Sequence, residues 1–146
     1  MQTNPQAALR GAGLRVTPGR VAVIEALREN PHSDAENVRR ALENRLLAIS
    51  IQSVHNVLAD LSAAQIIRRT EPAGSAALYE CRTGDNHHHV ICSDCGAVSD
   101  VDCVHGAAPC LTPSNTSGFS INTAEVTFWG LCPDCQQALA TIKETA

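Results

Sequence analysis

Two Cys-x-x-Cys pairs constrain this chain more than any other feature of its sequence. Cys92 and Cys95 form the first pair, and Cys132 and Cys135 form the second. Four thiolates in this arrangement are the usual way to enclose one tetrahedral zinc ion, which then joins two turns that are far apart in sequence. Two disulfides or two separate redox motifs would use the same residues, but the turn-forming residues in and beside both pairs favour zinc. The sequence therefore predicts a structural zinc site.

Length and composition indicate one domain, or two small ones that need a metal or a partner chain for stability. The 146 residues include seven cysteines but only one Trp, one Tyr and two Phe. Small cores with few aromatic residues bury little apolar area. No signal peptide or membrane segment is visible, so we expect a cytoplasmic protein that has no membrane partner. In that compartment, cysteines serve as thiolates and metal ligands more often than as structural disulfides.

The net charge of -4 is divided unevenly along the chain. Residues 1–80 contain nine arginines and eight acids, whereas residues 81–146 contain two basic residues and seven acids. The acidic second half suits cation binding. The near-neutral first half permits a local contact with nucleic acid, but the bulk charge alone does not indicate one.

Residues 1–81 have the pattern of a winged helix-turn-helix domain. Helix-start signals stand at Thr17-Pro18, at Ser33 or Asp34, and at Ser50, and the first of these helices should end near Asn30-Pro31. Two predicted strands, 66–70 and 76–80, then flank a turn at 72–75. Three helices followed by a β-hairpin are the outline of a winged helix.

The third helix of this unit has the features of a DNA-reading helix. Four polar residues lie near its start, where a recognition helix presents side chains to base edges: Gln52, Ser53, His55 and Asn56. Four arginines flank the same unit and are candidates to bind phosphates: Arg15, Arg20, Arg68 and Arg69. An ordinary solvated helix face would have similar residues, but the hairpin that follows favours DNA binding.

Three consecutive histidines indicate a second metal site. His87 and His89 would lie on one face of a strand, with His88 on the other. Glu80 ends the predicted wing strand, and His32 lies in the loop between two helices. A site made of His32, Glu80, His87 and His89 would tie the helical half to the second half, and its ligands suit iron, manganese, zinc or nickel. The alternative is that the histidines are only the polar start of a strand.

The second half has a different periodicity. Residues 82–86 are polar and rich in turn formers, and we expect a hinge there. Beyond it the pattern predicts strands at 90–91, at 97–101 and within 119–131, and a closing helix over 136–144. The whole chain is thus predicted to be an α+β protein.

Three cysteines remain outside the zinc spacing: Cys81, Cys103 and Cys110. They are either small buried apolar residues or redox-active thiols whose pKa a nearby cation lowers. No hydrolase triad or phosphate-binding loop is present. An oxidoreductase use of the Cys-x-x-Cys pairs would require a βαβ context that the sequence lacks. We therefore expect a protein that is not an enzyme.

Several segments, in order along nearly the whole chain, resemble the ferric uptake regulator (Fur) family of metal-dependent repressors. The segments are Arg-Val-Thr-Pro-Gly-Arg at 15–20, the helix at 50–61, His-His-His-Val-Ile-Cys-Ser-Asp-Cys-Gly at 87–96 and Trp-Gly-Leu-Cys-Pro-Asp-Cys at 129–135. Gly-Asp-Asn-His-His-His at 84–89, with Asp-Cys at 102–103 and Ala-Pro-Cys-Leu at 108–111, looks like the actinobacterial FurA/CatR branch, which controls catalase-peroxidase genes.

This resemblance implies a homodimer that binds a double-stranded DNA operator. It implies an N-terminal winged-helix domain at 1–81, a hinge at 82–86, and a C-terminal α/β dimerisation domain at 87–146 that carries the four-cysteine zinc. It adds Asp100 as a fifth ligand of the regulatory metal. Thr17, in the first matching segment, also belongs to the predicted DNA-binding set.

The leading hypothesis is a metal-dependent, redox-responsive repressor of oxidative-stress genes. Three alternatives remain: a zinc, iron or nickel homeostasis repressor of the same family, a zinc-ribbon thiol oxidoreductase that uses Cys103 and Cys110, and a zinc-stabilised interaction module without DNA binding.

The chain departs from the family pattern at several positions. His55 and Asn56 stand where the family has Tyr and Arg, and Gln65 stands where a Gly usually follows the recognition helix. Gln65 must therefore adopt a costly left-handed conformation or change the turn. Ala124 stands where a further metal site of the family has a histidine, so we expect that site to be absent.

Overall fold

The computed structural model describes residues 4–45, 47–85, 87–102, 113–121 and 124–145. The chain divides into two compact units, Met1–Asp85 and Asn86–Ala146. Among the described helices, none has the length and apolar character needed to cross a lipid bilayer. Cys103 and Cys110, which the sequence singled out as redox candidates, lie outside the described residues.

The first unit consists of four helices followed by a β-hairpin. The elements are α1 (Pro5–Gly11), α2 (Pro18–Glu29), α3 (Ala35–Asn44), α4 (Ile51–Ala63), β1 (Arg68–Thr70) and β2 (Leu78–Glu80). Thr17, Asp34 and Ser50 each accept a hydrogen bond from the backbone N–H three residues further along, and so cap the helices that follow them. The three helices and the hairpin predicted for this unit are therefore present.

Helix α1 was missed by the sequence prediction. Its start signal is local, because Asn4 Oδ1 accepts from the Gln6 N–H at 2.8 Å and Pro5 occupies the first helical position. The polar composition of the first ten residues hid one apolar anchor, Leu9, which is fully buried in the core of this unit.

Helix α4 packs on the core through a single apolar stripe. Val54, Leu58 and Leu61 recur at helical spacing and are fully buried together with residues of α2 and α3. The opposite side of α4 is exposed. The polar residues of its first two turns therefore face solvent, where a DNA-reading surface has to lie.

The helix ends at a residue with a left-handed backbone. Gln65 has φ 56°, its N–H donates to the Ser62 carbonyl, and the Ile66 N–H donates to the Leu61 carbonyl, both at 3.0 Å. These are the two hydrogen bonds of a Schellman motif, whose left-handed position usually holds glycine. Of the two outcomes expected for Gln65, the chain adopts the left-handed conformation and keeps the turn.

The hairpin is shorter than predicted. β1 and β2 pair antiparallel over three residues each, with Arg69 opposite Tyr79. The Tyr79 N–H also donates to the Ser33 carbonyl at 2.9 Å, which ties the loop before α3 to the hairpin. That loop is thereby fixed beside the end of β2.

The second unit is a three-stranded sheet followed by a helix. Its elements are β3 (His88–Cys92), β4 (Val98–Val101), β5 (Thr127–Gly130) and α5 (Pro133–Glu144). The strand order is β4-β3-β5, with β4 antiparallel and β5 parallel to β3. Helices and sheets together confirm the predicted α+β class.

Two predicted boundaries in this unit were wrong. Among the described residues of the predicted strand region 119–131, only Thr127–Gly130 form a strand, β5. At the start of that region, Ser117 and Gly118 have positive φ and the Phe119 N–H closes a turn onto the Thr116 carbonyl. Helix α5 begins at Pro133 rather than at Gln136, because Cys132 caps it and Pro133 suits the first helical position. The predictions followed the apolar pattern, which shows neither the turn at 116–119 nor the helix cap at Cys132.

Apolar side chains remain exposed in the second unit. No residue of α5 is buried, and Leu139 and Ile142 are 45% and 63% exposed. On β5, Phe128 and Trp129 are about half exposed, at 46% and 50%. Exposed apolar side chains on both β5 and α5 make these elements candidates for an interaction surface.

Candidate metal centres and nucleic-acid surface

The two Cys-x-x-Cys pairs come together in the second unit. Cys92 ends β3, a turn brings Cys95 back beside it, and Cys132 and Cys135 lie at the start of α5. The four Sγ atoms lie within 4.8 Å of one another. The Gly96 N–H closes the first turn onto the Cys92 carbonyl at 3.0 Å, and Gly96 supplies the positive φ of 77° that the turn requires.

The sulfur geometry fits a zinc ion and excludes a disulfide between Cys95 and Cys132. Cys95 Sγ and Cys132 Sγ are 3.7 Å apart, whereas a disulfide bond is about 2.05 Å long. Zinc–sulfur bonds of about 2.3 Å in a tetrahedron place neighbouring sulfurs about 3.8 Å apart. All the described cysteines are free thiols. The donor set thus fits one structural zinc.

Backbone N–H groups in this cluster stabilise the ionised form of one cysteine. The N–H groups of Cys95 and Cys132 lower the pKa of the Cys92 thiol to about 6, and the Cys132 N–H lies 3.3 Å from Cys92 Sγ. The neighbouring Cys132 side chain raises the pKa of Cys135. Four crowded thiols cannot all ionise without a compensating cation, and a bound divalent metal supplies that charge.

The first unit presents two of the predicted regulatory ligands as a pair. His32 Nε2 lies 3.3 Å from Glu80 Oε2, and Glu80 is only 2% exposed. His32 has φ 60°, a conformation that costs a non-glycine residue about 1 kcal/mol or more. The backbone hydrogen bond from Tyr79 to Ser33 holds the loop in this conformation. Ser33 is adjacent to His32 in sequence, and Tyr79 is adjacent to Glu80.

The second unit presents three further candidates on one face of its sheet. The register of β3 and β4 places Asp100 opposite His89. Asp100 Oδ1 lies 3.5 Å from His89 Nε2 and 3.8 Å from His87 Nε2, and the two rings meet edge to face at 5.0 Å. His88 lies on the other face, where its ring packs edge to face with Phe128. The predicted division of the three histidines is therefore correct.

The predicted DNA-binding residues all belong to the first unit, but they differ in what they contact. Gln52, Ser53, His55 and Asn56 are exposed on the first two turns of α4. Arg15 is exposed, Arg69 forms an ion pair with Glu71, and Arg68 is half-buried on β1. Thr17 uses its hydroxyl to cap α2.

Arg20 has a structural partner that the sequence analysis did not identify. Its guanidinium donates to Asp60 Oδ2 at 2.7 Å and to the Arg15 carbonyl at 2.9 Å. The bond to Asp60 joins the start of α2 to the later part of α4. Asp60 is forty residues away along the chain, so only the packing of the helices reveals the pair.

Cys81 is the one predicted redox cysteine among the described residues. Its thiol is half-buried and donates to the Ile24 carbonyl at 3.5 Å. Burial raises the pKa of Cys81, and the charge of Arg28 opposes this only in part. The reactive thiolate is therefore disfavoured at this position.

Comparison with known proteins agrees with these features. The sequence model of the ferric uptake regulator family matches residues 11–129. The chain is 53% identical to the transcriptional regulator FurA of Mycobacterium tuberculosis over 127 residues, which cover 87% of this chain and 86% of the relative. It is 48% identical to the ferric uptake regulation protein 2 of Mycolicibacterium fortuitum, covering 91% and 93% of the two chains.

Solved structures show the same fold. The crystal structure of the Vibrio cholerae ferric uptake regulator superposes with a TM-score of 0.67 at 25% identity, over 87% of this chain and 98% of that one. The Pseudomonas aeruginosa regulator with manganese gives a TM-score of 0.66 at 24% identity, over 90% and 99%. The chain therefore belongs to the ferric uptake regulator family, whose members are metal-responsive transcriptional regulators and not enzymes.

Proposed function

We propose that this protein is a metal-dependent, redox-responsive repressor that binds operator DNA as a homodimer and controls oxidative-stress genes, including catalase-peroxidase genes. The observation that carries the proposal is the division of ligands between the units. His32 and Glu80 belong to the DNA-binding unit, whereas His87, His89 and Asp100 belong to the sheet unit.

The regulatory metal takes ligands from both units in this proposal. Two ligands from one unit or three from the other would leave the remaining coordination positions to water, whereas all five together supply the donors that a first-row divalent ion takes and bind it more tightly. Imidazole and carboxylate suit Fe²⁺, Mn²⁺, Zn²⁺ or Ni²⁺. Metal binding then restrains the segment at 82–86, in which Arg82 and Asp85 form an ion pair at 2.7 Å, and selects one arrangement of the DNA-binding units. The metal regulates DNA binding only through a higher affinity for that arrangement.

The homodimer is supported by the apolar surface of the second unit. Among the strands that the structure describes, β5 lies at an edge of the sheet, and Trp129 on β5 is about half exposed, as is Leu139 on α5. An uncovered edge strand and an apolar helix face favour association with a second copy. Ile142→Glu should shift the protein toward monomer, whereas Gln137→Glu, on the opposite side of α5, should leave it dimeric. Equal masses for the two variants in light scattering would contradict this interface.

Operator binding in the presence of each metal tests the function. We would load the zinc-containing protein with Fe²⁺, Mn²⁺, Zn²⁺ or Ni²⁺ and titrate it against the promoter of its own gene and of any neighbouring catalase-peroxidase gene. We expect specific binding that requires the regulatory metal. Equal affinity with and without that metal would refute metal regulation. Binding to metal-uptake promoters alone would favour metal homeostasis instead.

The redox response is tested by peptide mass mapping after peroxide treatment of the metal-loaded protein. The zinc thiolates Cys92, Cys95, Cys132 and Cys135 should react last, because zinc shields them. We expect the first modification at Cys103 or Cys110, since burial disfavours reaction at Cys81. Oxidised His32 or His87 with intact thiols would place the response at the metal instead.

A further inference from the structure

The first two turns of α4 carry two carboxamides that are joined to each other. Gln52 Nε2 donates to Asn56 Oδ1 at 3.1 Å, one helical turn further along. Both side chains are exposed, on the side of the helix opposite the buried Val54 and Leu58. The pair therefore projects away from the core with its geometry partly fixed before any ligand binds.

The composition of this face differs from that of an ordinary solvated helix. Residues 51–58 contain no Lys, Arg, Asp or Glu, although charged residues dominate most exposed helix positions. Arginine and lysine supply the charge that attracts phosphates, whereas a carboxamide offers a donor and an acceptor side by side, the pattern that matches a base edge. The chemistry of this face thus suits base reading more than attachment to the DNA backbone.

The hydrogen bond to Asn56 leaves the reading atoms of Gln52 available. A carboxamide has two N–H donors and one carbonyl acceptor. One N–H is directed to Asn56, and among the described residues no other hydrogen bond engages this amide. The second N–H and Oε1 form the donor–acceptor pair that adenine matches with N7 and its N6 amino group.

We propose that Gln52 reads an adenine in the major groove by a bidentate hydrogen bond, and that Asn56 is a positioning residue that orients the Gln52 amide. This assignment rests on the proposed operator binding. A glutamine side chain in water samples many rotamers and loses that freedom on binding. Asn56 restricts the rotamers in the free protein, so less freedom is lost when Gln52 meets the base.

Base analogues test the reading contact directly. We would select duplexes from a randomised library with the metal-loaded wild-type protein, and then replace each adenine of the selected site in turn by 7-deazaadenine, which lacks the N7 acceptor. At one adenine per half-site, the replacement should weaken wild-type binding about fivefold or more. Gln52→Met, which keeps the length of the side chain but has no amide, should be insensitive to the same replacement.

Two substitutions at Asn56 test the positioning role. Asn56→Asp keeps an oxygen acceptor for Gln52 Nε2, so it should retain sensitivity to 7-deazaadenine even though its added charge weakens binding to all DNA. Asn56→Leu removes the acceptor and should reduce that sensitivity.

Each result has a distinct meaning. If Gln52→Met remains as sensitive as the wild type at every adenine, the reading role is wrong. If the Asp and Leu variants discriminate equally, Asn56 does not position Gln52. Failure of the wild-type protein to enrich any duplex would instead overturn operator binding itself.

Discussion

At the scale of single residues, Gln65 marks a conformation that the chain adopts at a cost. Its φ of 56° is unfavourable for a side chain with a Cβ, but the two Schellman hydrogen bonds of α4 require it. We expect Gln65→Gly to raise the free energy of unfolding by about 0.5–1 kcal/mol. Ala64→Gly is the matched control. Ala64 has φ -81°, which suits a residue with a Cβ, so this substitution should lower the free energy of unfolding by about 0.5–1 kcal/mol. Urea unfolding followed by circular dichroism measures both, and an unchanged or lower stability for Gln65→Gly would show that the position is not strained.

Two roles of Cys132 can be separated by one substitution. Its Sγ belongs to the four-cysteine cluster and accepts from the Cys135 N–H at the start of α5. Serine is a good helix cap, so Cys132→Ser keeps the cap while it removes the thiolate. We expect loss of tightly bound zinc and of the fold of the second unit, since a structural zinc contributes roughly 10 kcal/mol or more to folding. Cys81→Ser, outside the cluster, should retain one zinc per chain by elemental analysis. Full zinc content in Cys132→Ser would rule out the four-cysteine site.

The proposed ligand residues show which interactions a sequence can predict. The four cysteines were identified because each pair has a spacing that has few other uses. Asp100 followed only from family resemblance, because its place beside His89 depends on the register of β3 and β4. Asp60 was missed because its partner Arg20 lies on another helix. Sites defined by local spacing could thus be predicted from the sequence, whereas contacts that depend on the packing of elements could not.

At the scale of elements, the cap residues determined what could be predicted. Thr17, Asp34 and Ser50 marked three helices, since each cap is a local signal next to an apolar periodicity. The strand pattern of the second unit was less informative. The pattern over 119–131 suggested strands, but among the described residues of that stretch only Thr127–Gly130 pair, as β5. Part of that run is exposed, and its apolar character suits an interface as well as a strand.

The link between α2 and α4 gives a prediction about how arginines act. Arg20 is engaged by Asp60 and by the Arg15 carbonyl, whereas the Arg15 side chain has no ion pair within the described part of the chain. We expect Arg15→Gln to weaken DNA binding and to reduce the salt dependence of the binding constant by about one phosphate contact. Arg20→Gln should weaken DNA binding without changing this salt dependence, because loss of the bond to Asp60 alters the packing of α4 against α2. The partly exposed ion pair itself should contribute less than about 1 kcal/mol to stability.

Binding isotherms at several salt concentrations between about 50 and 200 mM give the salt dependence of the binding constant for each variant, and this distinguishes the two roles. An equal loss of slope in both variants would make Arg20 a phosphate ligand. If both variants kept the wild-type affinity, the start of α2 would not contact DNA.

At the scale of the whole molecule, the proposed regulation depends on one metal ion being shared by both units, and adjacent histidines provide the sharpest test. His89 faces Asp100, whereas His88, on the same strand, faces Phe128. His89→Ala removes a proposed ligand and should abolish metal-dependent operator binding while the structural zinc remains. His88→Ala deletes a similar volume from the opposite face and should keep the metal response. His32→Ala, in the other unit, should reproduce the defect of His89→Ala, because a shared ion loses affinity when either unit loses a ligand. Isothermal titration with Mn²⁺, together with an operator shift for each variant, measures both properties. A normal metal affinity in His32→Ala would confine the metal to the second unit, and regulation through a shared ion would then be wrong.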